Sequence, residues 1–206
     1  MIAEFAFRHP ERIALLALQH IALVAVALTV ACAIAVPLGI VAARKPRLRT
    51  PLLGVLGALY TVPSLALFAI LVRVVGLGFW SAVPVLALYA QFILVRAVAA
   101  GLLNVPAELT DAATAMGMTP VQRLMRVDVP LALRVFIAGL RSTGVASIAL
   151  ATLAAYAGAG GLGTLIFEGL ELRNDAMLAA GALAVAFLAL AYDAILRYVE
   201  RRLPIP

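Results

Sequence analysis

The residues of this chain that could do chemistry are few and scattered. His9 and His20 lie near the N-terminus with no acidic or cysteine partner at metal-ligand spacing. Cys32 is the only cysteine and sits inside an apolar run, which leaves neither a disulfide framework nor a thiol site. Gly158, Gly160, Gly161 and Gly163 have the outline of a dinucleotide loop, but they follow an apolar helix-length run instead of a strand, so that reading fails. With no nucleophile, metal cluster or acid–base pair at a working spacing, the expectation is no catalytic residue, no cofactor and no metal. Arg96 and Asp193 fall in or beside apolar runs, where an ionisable group is a functional candidate by default. Arg197 follows Asp193 by one helical turn, which makes a local ion pair the simpler role. Arg96 can snorkel to the nearest interface along its own stem.

The elements that carry these residues are built for lipid. Apolar residues make up 65% of the 206, charged residues 13%, and mean hydropathy is +1.11, more apolar surface than a soluble domain of this size can hide. The pI near 10.2 and net charge of +6 are read as basic loops held on the cytoplasmic side, with no nucleic-acid partner. The chain is expected to be all-α, one polytopic domain over residues 1–206, with five spans at about 21–43, 52–75, 82–103, 142–157 and 176–196. Pro63 interrupts the second span, where Thr61 and Ser64 can satisfy the freed backbone groups. Thr61, Pro63 and Ser64 are therefore expected to line a pore or gate, the alternative being a packing kink. Residues 10–20 are apolar enough to lie along the membrane as a short amphipathic helix. Residues 1–7 contain Glu4 and no charged n-region ahead of a cleavable apolar stretch, so no removed signal peptide is expected.

Orientation follows the basic residues. With the loops after spans one and three and the C-terminal tail placed inside, eleven Lys and Arg residues are cytoplasmic and four are outside. The N-terminus is then outside and the C-terminus cytoplasmic. Arg134 and Arg141, seven apart, are expected to meet headgroups or a partner protein, and Trp80 and Tyr156 to sit at the interfaces.

The polar stretch 104–130 breaks the hydropathy and carries the most information. Pro106 suits the first turn of a helix, with Glu108 and Asp111 near its positive end. Gly117 can take the left-handed conformation that stops that helix. Thr119 can cap a second helix that has Pro120 first and Gln122 in the capping-box position. That helix is expected to end near Val127, before Pro130. The glycine elbow would expose Met116 and Met118 among charges, as a protein-binding knob does.

Asp111, Ala112, Ala113, Gly117, Val129 and Pro130 resemble the EAA loop of permease subunits of ABC importers, with Asp in place of the usual Glu. The resemblance implies the type I importer permease fold, with a coupling helix around residues 115–119 seated in a cleft of an ATPase. It makes Asp111, Ala112, Ala113, Met116, Gly117, Met118 and Pro130 the coupling residues. It extends from about residue 20 to 202. Gln19-His20-Ile21 leading to Ala35-Val-Pro-Leu-Gly39, Tyr60-Thr-Val-Pro-Ser-Leu-Ala-Leu67 and Tyr156-Ala-Gly-Ala-Gly-Gly-Leu-Gly163 are similar to segments of osmoprotectant permeases, those for glycine betaine, carnitine and choline. The third span departs from that family: Phe92-Ile-Leu-Val-Arg-Ala-Val98 keeps Arg96 but has Ile93, Ala97 and Val98 where a proline, an asparagine and a threonine are common.

The expected activity is thus a permease for a compatible solute in a bacterial inner membrane, not an enzyme. The chain has no G-x-x-x-x-G-K-[ST] loop, so a separate ATPase is expected, together with a separate periplasmic or lipid-anchored solute-binding protein. Five spans enclose too little for a pore, so a second permease, identical or related, is expected. Recognition of a quaternary ammonium uses aromatic cages. With aromatics at 7% and scattered, that cage is expected on the receptor and only a transient path here. The alternatives are a permease of the same class for another small solute such as methionine, or a secondary transporter, which five spans and one interfacial acid argue against.

Overall fold

The computed structural model describes residues 8–203; the sequence expectation about residues 1–7 lies outside them. Among the described residues every regular element is helical. Helix α1 is Pro10–Arg44, α2 Pro46–Tyr60, α3 Ser64–Val75, α4 Phe79–Leu103, α5 Ala107–Ala115, α6 Pro120–Arg123, α7 Val129–Ala151, α8 Gly163–Glu171 and α9 Asp175–Arg202. A single π turn, Leu124–Asp128, joins α6 to α7, and a 3₁₀ turn, Leu153–Ala157, follows α7. Four helical stretches are long and apolar enough to cross a membrane, or five if α2 and α3 form one bent span.

The spans associate through small residues. Ala27, Ala31, Ala35 and Gly39 repeat every fourth position on α1 and are buried, which lets α4 approach closely. A Cβ built on Gly39 would stand 2.4 Å from the Val98 Cβ, and one on Gly139 would stand 2.2 Å from the Ala97 Cβ. Gln91 on α4 donates to the Ala31 carbonyl of α1 at 3.2 Å, a polar tie inside the packed pair. On the far side of α7, Gly144 makes room for the Tyr192 ring of α9, whose hydroxyl donates to the Leu140 carbonyl at 3.1 Å. The outward faces keep large apolar side chains such as Leu183, Phe187 and Leu190 exposed, as lipid-facing helices do.

The structure corrects several sequence expectations. Residues 10–20 do not form a separate surface helix. They are the first three turns of α1, because no breaker separates them from the span and they are held at the far end. Leu16 packs with Leu162, Leu165 and Met177, and Arg12 pairs with Glu168. At roughly 1.5 Å per residue the 35-residue α1 is about 52 Å long, well beyond the ~30 Å hydrocarbon layer. The fourth apolar run is not a span over 142–157: α6, the π turn and α7 make one stretch, Pro120–Ala151, and 153–157 is the 3₁₀ turn. The helix also does not yield before Pro130. The Val129 N–H reaches back to the Leu124 carbonyl, and this widened turn lets the chain pass a residue that lacks an N–H and crowds the preceding turn.

The Gly-rich segment is pinned against α1. Gly158, Gly160 and Gly161 have φ of 71°, 74° and 84°. The Gly161 N–H donates to the Gln19 side-chain oxygen at 3.1 Å, and a Cβ on Gly160 would collide with that side chain. Arg141 also departs from expectation: it faces Asp193 at 3.5 Å and Glu200 at 3.7 Å on α9, rather than lipid.

Candidate functional site: the glycine elbow and the broken span

Helix α5 ends because Gly117 takes φ +78°. The Gly117 N–H then donates to the Thr114 carbonyl at 2.9 Å and the Met118 N–H to the Ala113 carbonyl at 3.2 Å, the paired closure of a Schellman motif. The next helix starts at once. Gln122 N–H donates to the Thr119 hydroxyl at 3.3 Å and Thr119 N–H to the Gln122 side-chain oxygen at 2.9 Å, the reciprocal pair expected from sequence. Pro106 stands one place earlier than expected, as the N-cap of α5.

The elbow presents an apolar surface rimmed by charge. Met116, Val121 and Met125 are 71%, 66% and 64% exposed, and Asp111 and Ala112 are exposed on α5. Ala113 is buried and Met118 half-buried, so these two brace the elbow from within, against the expectation that Met118 is displayed. Pro130 is exposed and lies in the following helix, away from the tip. No side chain lies within 4 Å of where a Gly117 Cβ would be, so the demand for glycine there is conformational and not spatial.

Beneath the elbow a cavity of about 370 Å³ is lined by Arg44, Thr110, Pro120, Arg123, Leu124 and Asp128 among others. Arg44, at the end of α1, donates to the Pro120 carbonyl at 3.1 Å. Arg49 closes the same end, donating to the Ala42 and Ala43 carbonyls at 2.9 and 3.1 Å, a guanidinium cap on a helix C-terminus. Asp128, in the π turn, is buried and faces Arg123 at 3.5 Å.

The second feature is the break in span two. α2 and α3 meet at 85°, a far sharper turn than a proline kink within one helix. At 15 and 12 residues, neither reaches the roughly 30 Å needed to cross alone. Thr61 donates its hydroxyl to the Ala58 carbonyl at 2.7 Å, as expected; Pro63 precedes α3; Ser64 opens α3 without a side-chain cap. The group that satisfies the break is one the sequence reading missed: the Tyr89 hydroxyl of α4 donates to the Val62 carbonyl. Beside the break lies a cavity of about 430 Å³, lined by Tyr60, Tyr89, Ile93, Thr143, Ser147 and neighbours; Thr61, Pro63 and Ser64 are not on its wall. Arg96 lies over the Phe92 ring at 5.1 Å, and Asp193 pairs with Arg197 at 2.5 Å. Among the described residues no group of His, Cys, Asp and Glu could hold a metal ion.

Comparisons with known proteins bear on this architecture. Residues 35–204 match the family described as binding-protein-dependent transport system inner membrane component. The chain is 38% identical over 185 residues to the carnitine transport permease protein OpuCB of Listeria monocytogenes, covering 90% of this chain and 85% of the relative. It is 38% identical over 193 residues to the osmoprotectant import permease protein OsmW of Salmonella typhimurium, covering 91% and 90%. It is 34% identical over 185 residues to the choline transport system permease protein OpuBB of Bacillus subtilis, covering 90% and 85%. In three dimensions it is similar to a chain of the MetNI methionine ABC transporter in an inward-facing form, with a TM-score of 0.87 at 20% identity over 96% of this chain and 99% of the other. This likeness gives the fold, that of a type I importer permease.

Proposed function

The chain belongs to the family of binding-protein-dependent transport system inner membrane components, and we propose that it carries an osmoprotectant of the glycine betaine, carnitine or choline type through an ABC importer. As a member of that family it is a multi-pass inner-membrane transport subunit, not an enzyme, and it works with an ATPase and a solute-binding protein. The observation that carries the solute class is relatedness of 38% across nine-tenths of the chain to permeases named for carnitine and for osmoprotectants.

The elbow is the surface offered to the ATPase. Met116, Val121 and Met125 supply an apolar contact beside the acidic Asp111, and the Gly117 Schellman closure with the Thr119–Gln122 box makes that contact rigid. Asp111, Ala112, Ala113, Met116, Gly117, Met118 and Pro130 act as the coupling set, Ala113 and Met118 from the inner side. A rigid tip lets ATPase closure move the spans as bodies. The break at Thr61, Pro63 and Ser64 marks the gate region, since irregular backbone inside a membrane is tolerated where it lines a cavity or packs in protein. The ends of the bundle support the charge-based orientation: Arg44, Lys45, Arg47 and Arg49 lie at the elbow end, so that end is cytoplasmic and the N-terminus outside. The solute-binding protein docks on the other face, and a second permease, identical or related, completes the pore.

A methionine permease is the second reading, favoured by the fold match alone. Uptake of radiolabelled glycine betaine, choline and methionine separates the two. The host lacks its own osmolyte importers and carries the cognate ATPase and binding protein, with and without this chain. Chain-dependent uptake of glycine betaine or choline is expected; uptake of methionine alone would discard the proposed solute and keep the permease.

A further inference from the structure

We propose that the cavity beside the break in span two is a transient site for the quaternary ammonium group of the solute, with Tyr60 and Tyr89 supplying the aromatic faces. The inference rests on the osmoprotectant reading above and adds where the solute pauses in this chain.

The cavity opens in the middle of α4, where Tyr89 and Ile93 project, and is closed on the facing side by Thr143 and Ser147 of α7. Its 430 Å³ is ample for a molecule of choline size. No Asp, Glu, Lys or Arg lines it. That composition suits a specific chemistry. A metal cation needs oxygen ligands in number, and a free carboxylate or phosphate needs a basic clamp. A trimethylammonium group spreads its charge over methyl groups and is held by the negative faces of aromatic rings.

The rings are placed for that contact. Tyr60 and Tyr89 have centroids 5.6 Å apart with planes inclined at 58°, a corner between two faces, not a stack. Tyr60 also lies 5.2 Å from Phe92 at 34°. The Arg96 guanidinium lies over Phe92 at 5.1 Å, so that ring is already occupied, and Tyr60 and Tyr89 are the rings that line the cavity. The Tyr89 hydroxyl is anchored on the Val62 carbonyl, so its ring orientation is fixed by the break itself. Tyr60 is the last residue of α2, at the negative end of that helix's dipole, which favours positive charge. Thr143 and Ser147 lie on the facing wall; the Thr143 hydroxyl already donates to the Gly139 carbonyl at 2.8 Å, so its oxygen is left to accept from the hydroxyl of choline. Two rings make a partial cage, and a partial cage suits a station that must release its cargo.

The test uses the complete complex in proteoliposomes, with its ATPase and binding protein, and radiolabelled choline and glycine betaine as probes. Tyr60→Leu and Tyr89→Leu are each expected to lower maximal uptake about tenfold, while Tyr60→Phe stays within about twofold of wild type, because the ring and not the hydroxyl binds. The binding-protein concentration at half-maximal rate should not move. A second measurement covers variants that fail to assemble. Ala146→Cys, in a Cys32→Ser background with all rings intact, is labelled with the trimethylammonium-ethyl methanethiosulfonate reagent, with and without millimolar choline. Protection by choline is expected. Labelling that choline does not slow, or no labelling because the second permease covers the cavity, would overturn the inference. Wild-type uptake with unimpaired leucine variants would overturn it alone, whereas a wild-type complex that carries neither solute would remove the functional reading beneath it.

Discussion

Arg44 and Pro120 lie 76 residues apart in sequence, yet the Arg44 guanidinium donates to the Pro120 carbonyl at 3.1 Å. The bond joins the end of α1 directly to the first turn after the elbow, so a push on the elbow reaches the first span without passing through α5. Arg44→Ala is expected to reduce solute carried per ATP about fivefold, the equivalent of one lost hydrogen bond of about 1 kcal/mol. Hydrolysis itself should continue. Parallel uptake and phosphate-release assays on reconstituted complex check this, and equal falls in both would refute it.

Gly117 holds φ +78° with open space around it, so the cost of a side chain there is backbone strain alone. Gly117→Asn should be tolerated, since asparagine visits the left-handed region with little penalty. Gly117→Val should pay roughly 1–2 kcal/mol and distort the elbow, uncoupling hydrolysis from uptake while the spans remain inserted. Normal solute-stimulated uptake by the valine variant would rule out the elbow's proposed role.

Packing glycines behave differently, because space is what they provide. A Cβ on Gly39 meets the Val98 side chain at 2.4 Å, and one on Gly144 meets the Tyr192 ring at 2.1 Å. Gly39→Val and Gly144→Val are each expected to destabilise the bundle by about 1–3 kcal/mol through overpacking. Thermal melting in detergent should fall by several degrees. Gly54→Ala, where nothing lies within 4 Å, serves as the control.

His20 is fully buried, and its Nε2 lies 3.0 Å from the Ile148 carbonyl, linking α1 to α7. His20→Leu strips that carbonyl of its partner at a cost of about 1–3 kcal/mol. The amide of His20→Gln can still donate, so it should recover part of the loss. If both variants melt like wild type, the bond is not a structural tie.

The stop at Gly117 and the Thr119–Gln122 capping box of the elbow were legible in the sequence, whereas the inward turn of Met118 was not. Gly117, Thr119, Pro120 and Gln122 act on neighbours within three or four positions, and local chemistry survives any tertiary context. The other half of the site was not legible. Tyr60 belongs to the segment that resembles osmoprotectant permeases, but nothing in its spacing announced Tyr89 beside it on α4, nor Thr143 and Ser147 on the facing wall. The π turn was equally hidden: the expectation that Pro130 ends a helix is sound for an α turn and fails where a widened turn comes before it.

Composition, hydropathy and short-range chemistry establish that lipid is the solvent, where five apolar runs fall, which loops are basic and how the elbow is capped. Long-range packing sets the rest: α1 runs on to meet Glu168 and Gly161, span two breaks at 85°, and Arg141 turns to α9 instead of to lipid. The reason is physical. In a bilayer the face toward lipid is as apolar as the face toward protein, so hydropathy finds the spans but cannot say which side packs. That choice is left to small residues and isolated polar ties, and their partners lie far away in the chain.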